Sequence, residues 1–225
     1  MTFGAKFTAE DFDKAEELDF IGRLQLCCEK FGMPYPDRIP KTYEDAEDTA
    51  VLMKLDESFF VLELWQNRQV AIAVQSGDFI VTAACFFSAY VDLICSEEIA
   101  AGERITFTVA EKMKAFPYIA EKISAALPVA IIGADDADEN TLKEVNGRIF
   151  DEYGYISSRN TAEALHACEC VQDEDEEALV VVVSPDSPYD SVEFALRSIG
   201  QKPSGDRQKD NMKLESFTAL PVPEN

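Results

Sequence analysis

Apolar side chains recur at helical spacing from residue 8 to residue 31, at Phe12, Ala15, Leu18, Ile21, Leu24, Cys28 and Phe31. That spacing predicts one amphipathic helix, with Thr8 as its N-cap and Asp11 three residues on to complete a capping box. The prolines of GMPYPDRIP end the pattern, and TYEDAEDTAVLMKL resumes it as a helix or a helix entering a strand. From Phe59 the period changes to two. FFVLELW, QVAIAV and DFIVTAACFF read as strands joined by the short connections QNR and QSG. A helix is expected around residues 89–99. GERITFTV then offers a turn and a fourth strand, with Ile105, Phe107 and Val109 inward and Thr106 and Thr108 outward.

A further helix is expected from Pro117 to about Leu127, after which the pattern changes again. Residues 128–200 read as strand (VAIIGA), helix (138–152), helix (161–170), strand (ALVVVVS, 178–184) and helix (188–199). Continuous apolar runs alternating with helices point to strands buried on both faces, hence to a parallel pair. The fold class expected is therefore α+β. An antiparallel four-stranded meander with flanking helices fills residues 1–127, a smaller α/β part fills 128–200, and 201–225 form a flexible tail.

Charge narrows the functional classes more than composition does. With 43 acidic and 20 basic side chains the formal net charge is −23, and residues 151–200 alone carry 12 acids against 2 bases. Nucleic acid phosphates and anionic lipid repel such a chain, so neither direct nucleic acid binding nor a membrane surface is expected. Phe79 to Cys95 is the longest nearly uncharged stretch, and it reads as a buried strand followed by a helix rather than a membrane span. The first 20 residues lack an apolar core behind a basic start, so no secretory signal is expected and a cytoplasmic location follows. The six cysteines then read as reduced thiols, not a disulfide framework.

Acidic residues cluster at both predicted strand ends. In GADDADEN, Asp136 as N-cap, Asp138 in the first turn and Glu139 as the capping-box partner explain three of the four acids as helix initiation. Asp135 is left over. In SPDSPYDS, Ser187 is the natural N-cap, Pro188 fits the first position and Asp190 the first turn, which leaves Asp186. On parallel strands Asp135 and Asp186 would leave the same sheet edge, about 5 Å apart if the strands are adjacent and about 10 Å with one strand between them. Two such carboxylates could hold Mg²⁺ or Mn²⁺, or act as general acid and base.

Other patterns suggest less. His166 and Cys170 share a helical face, but two ligands do not make a zinc site, and the only histidine reads as structural. Trp65 shares a strand face with Phe59 and Val61 and reads as core. No glycine-rich phosphate loop is present. Asp173, Glu174, Asp175, Glu176 and Glu177 form an acidic loop before the second strand and, with YEDAED at 43–48, could dock the lysines or arginines of a partner. The leading expectation is a non-enzymatic protein-binding module for a basic partner protein, resembling an inhibitor, an immunity factor or a chaperone in its mode of action. A metal-assisted enzyme using Asp135 and Asp186 is the alternative, and an oligomeric structural protein the third.

Overall fold

The computed structural model describes residues 7–37, 79–110, 117–133, 137–175, 178–183 and 187–218. Among these residues the elements run α1 (Ala9–Glu16), α2 (Phe20–Phe31), α3 (Phe79–Cys95), β1 (Ile105–Val109), α4 (Pro117–Ala126), β2 (Val129–Gly133), α5 (Glu139–Tyr153), α6 (Arg159–Glu174) and β3 (Val180–Val182). A 3₁₀ turn (Pro188–Ser191), α7 (Val192–Ser198) and α8 (Arg207–Glu215) follow.

The described strands form one parallel sheet in the order β2-β1-β3, so the expected antiparallel meander is wrong. Its first two strands lie outside the described residues. Its third, DFIVTAACFF, falls from Phe79 onward within α3, which runs unbroken through all 17 residues from Phe79 to Cys95. The error has a physical cause: α3 is buried on nearly every side, so its apolar run carries no 3.6-residue period to separate it from a strand. Its alanines Ala83, Ala84 and Ala89 also favour a helix. The fourth predicted strand exists as β1, but it is central and parallel to β3, with Phe107 opposite Val181. A central parallel strand is covered on both faces, which is why Thr108, expected outward, is fully buried.

The single helix expected over 8–31 is two helices. Thr8 and Asp11 do start α1: the Asp11 carboxylate accepts from the Thr8 amide and hydroxyl, each at 2.8 Å. Asp19 then starts α2 by accepting from the Gly22 amide at 2.7 Å. The apolar positions keep their spacing across the break, so only the second cap residue betrays it.

The chain divides into two compact units, Met1–Ile105 with Ala115–Ile131 and Thr106–Lys114 with Ile132–Asn225. In the first, α3 packs mainly on α2 and also meets α1 and α4. Aromatic rings fill these contacts. Phe7 stacks on Phe87 at 4.3 Å, and Phe31 meets Phe79 edge-on at 4.8 Å. The buried Tyr90 hydroxyl donates to the Glu103 carbonyl at 2.7 Å and accepts from the Gly102 amide at 3.0 Å, anchoring α3 to the following turn. No helix among the described residues is long and apolar enough to cross a membrane.

In the second unit α5 packs on α6 and α7, and α6 covers β3. The buried Asn146 amide accepts from the Ser157 amide and hydroxyl, each at 2.9 Å, and donates to the Ser157 carbonyl at 3.2 Å. This saturates the turn between α5 and α6. Composition marks residues 201–225 as a tail, yet this segment includes α8, whose Leu214 is fully buried with Ile156, Tyr189 and Leu196.

Candidate functional site

The acidic run expected as a loop begins inside a helix. Asp173 and Glu174 occupy the last turn of α6 and Asp175 is its C-cap, where the amide donates to the Val171 carbonyl at 2.9 Å. All three are exposed. The C-terminal end of a helix already carries partial negative charge, so carboxylates there work against the dipole. No basic residue lies in that last turn, and Asp173 and Glu174 make no ion pair among the described residues. Glu176 and Glu177 lie outside the described residues, as does the 43–48 acidic run.

Asp135 and Asp186 also lie outside the described residues. The strands that precede them are second neighbours in the sheet, with β1 between β2 and β3. Of the two spacings expected for this carboxylate pair, the wider therefore applies to its parent strands. Among the described residues no three His, Cys, Asp or Glu side chains are grouped to hold a metal ion.

The acids of GADDADEN divide differently from the expected pattern. Asp138, not Asp136, is the N-cap of α5, accepting from the Asn140 amide at 2.8 Å and the Thr141 amide at 3.0 Å. Those two bonds hold its carboxyl below the ordinary value. Glu139 is consequently the first helical residue and pairs with Lys143 at 2.5 Å. The second cap forms as read: Asp190 accepts from the Ser187 amide at 3.1 Å, and the Ser187 hydroxyl accepts from the Tyr189 amide at 3.3 Å.

His166 and Cys170 meet along α6, with Nε2 3.9 Å from Sγ. The buried Nδ1 of this histidine has no hydrogen-bond partner among the described residues.

One site was missed from sequence. A cleft of about 410 Å³ in the second unit is lined by Arg159, Arg197 and Arg207 together with Glu139, Asp190 and Asp210 among others. It holds three of the chain's eight arginines. Arg159 pairs with Glu163 at 2.5 Å and Arg197 with Glu193 at 3.4 Å, whereas Arg207 makes no ion pair among the described residues. Lys143, and more weakly Arg159 and Arg197, hold the Glu139 carboxyl below its ordinary value. Asp210 is buried and accepts from the Ser204 amide at 2.7 Å and the Gly205 amide at 3.2 Å, bonds that also lower its carboxyl. A sequence signal for the cleft did exist. Arg159 and Arg207 each directly follow an N-cap residue, Ser158 and Asp206, where the helix dipole disfavours a cation.

A second cleft, of about 680 Å³ in the first unit, is lined largely by small and apolar groups, including Phe7, Phe12, Leu127 and Ile131, with Arg104 at its wall.

No family model, characterised protein or solved structure matches the chain.

Proposed function

We propose that this chain is a non-enzymatic, cytoplasmic protein-binding module that presents an acidic surface to a basic partner protein. The observation that carries the reading is the end of α6. Asp173, Glu174 and Asp175 stand exposed at a helix C-terminus with no cation in the last turn. Helix formation and solubility explain acids at N-termini, as at Asp138, but acids in the last turn of a helix, as at Asp173 and Glu174, reduce its stability. A partner's lysines or arginines would remove that repulsion on binding. The overall charge of −23 favours such a partner by long-range attraction and accelerates its encounter.

The test is affinity capture from a lysate of cells that express the protein, with the native chain and a variant carrying Asp173→Asn, Glu174→Gln, Asp175→Asn, Glu176→Gln and Glu177→Gln. A basic protein retained by the native chain and lost with the neutralised one supports the reading. Equal retention by both removes the α6 end from the interface.

A further inference from the structure

We propose that the cleft framed by Arg159, Arg197 and Arg207 binds an oxyanion, a phosphate or carboxylate group carried by a small molecule. This inference uses residues separate from the acidic end of α6 and does not depend on the partner proposed above.

The helix dipole accounts for Arg197, which lies in the last turn of α7, but not for the other two cations of this cleft. Arg159 and Arg207 occupy the first positions of α6 and α8, where a positive side chain faces the positive end of a helix dipole. A fold under no other demand would place an acid there, as it does with Glu139 at the same position of α5. Arg207 has no carboxylate partner among the described residues to compensate. Among the described residues, then, no ion pair uses the charge of Arg207, in a chain with only 20 basic side chains against 43 acidic ones.

The carboxylates on the wall do not close the site. Asp210 and Asp190 are turned to backbone amides of the Ser204–Gly205 turn and of Ser187. Glu193 reaches Arg197 only at 3.4 Å, with both side chains more than half exposed, a pair too solvated to hold the guanidinium firmly. An incoming anion would contend with Glu163, which pairs with Arg159 at 2.5 Å, and with Glu139, whose carboxyl Lys143 and more weakly Arg159 and Arg197 hold below its ordinary value. Guanidinium groups grip phosphate and carboxylate through paired N–H donors, which suits a site built of arginine rather than lysine. A volume of about 410 Å³ accommodates an organic anion as well as a bare phosphate.

The test is isothermal titration of the full-length chain with inorganic phosphate and, separately, with succinate, at an ionic strength held near 0.15 M with NaCl. Native protein, Arg207→Gln and Glu139→Gln are compared. Saturable uptake by the native chain is expected, weakened about tenfold in Arg207→Gln by loss of a charge-assisted contact. Several-fold tighter binding is expected in Glu139→Gln, because one internal competitor is gone. Whichever anion binds more tightly identifies the group the site reads. No saturable uptake of either anion, equal affinity in Arg207→Gln, or no gain in Glu139→Gln would overturn the proposal.

Discussion

The guanidinium of Arg23 on α2 and the carboxylate of Asp92 on α3 meet at 2.5 Å, with 10% and 16% of the two side chains exposed. Arg23 also donates to the Ala15 carbonyl at 3.0 Å and the Ser88 carbonyl at 3.4 Å, so one side chain ties α1, α2 and α3 together. Removing only the acid leaves a nearly buried cation without its counter-charge. Asp92→Asn is expected to lower the unfolding free energy by about 3 kcal/mol, read from urea unfolding. A loss under about 0.5 kcal/mol, the scale of an exposed pair, would show that water reaches Arg23 freely.

Acid should weaken the start of α1. Burial raises the Asp11 carboxyl, but the hydrogen bonds from Lys30 and Thr8 outweigh it and hold the group below its ordinary 3.8. A depressed folded-state value means that the carboxylate contributes stability above pH 3.8 and loses it as the pH falls through the lower folded value. Asp11→Asn should therefore destabilise the protein at neutral pH and flatten the decline of stability below pH 3.8, measured by thermal unfolding across that range. Parallel pH curves for the two proteins would show that Asp11 has no part in the acid response.

Gly147 on α5 marks a close helix approach. A Cβ added there would lie 2.8 Å from the Ser198 carbonyl oxygen at the end of α7. Alanine in an exposed helix interior would gain about 1 kcal/mol over glycine. Here the backbone clash should reverse the sign, and Gly147→Ala is expected to destabilise by about 1–3 kcal/mol. A stabilised variant in thermal unfolding would mean that α5 and α7 pack less closely.

Neutralising the end of α6 should raise stability. Asp173→Asn with Glu174→Gln removes two charges from the unfavourable end of the dipole, for an expected gain of about 0.3–1 kcal/mol at low ionic strength that shrinks as salt is added. The same change is expected to weaken partner capture. Stability rising while binding falls is the signature of acids retained for interaction; a destabilised variant would assign them a structural role.

Legibility in the sequence followed the local code. Thr8 with Asp11 and Ser187 with Asp190 were readable because a cap needs only residues three apart. β2 and β3 were readable as apolar runs and β1 as an alternation of apolar and threonine positions, but not their order, because strand adjacency is set by tertiary packing. α3 was mistaken for a strand and a helix because burial of all its faces erases the helical period. Leu214 shows the opposite limit: the polar composition around it suggests a tail, while one buried leucine docks α8. For the candidate site, the acidic end of α6 was legible as charge but not as a helix terminus. The arginine cleft was invisible as a unit, since residues 159, 197 and 207 converge only through the fold.

The central claim is that the end of α6 receives a basic protein, and the dissociation constant of the captured partner as a function of NaCl concentration tests it most directly. Native protein should lose affinity steeply between about 0.05 and 0.3 M salt, and the variant neutralised at Asp173, Glu174 and Asp175 should start weaker and show a shallower slope. Binding that ignores salt, or equal slopes for the two proteins, would contradict the account.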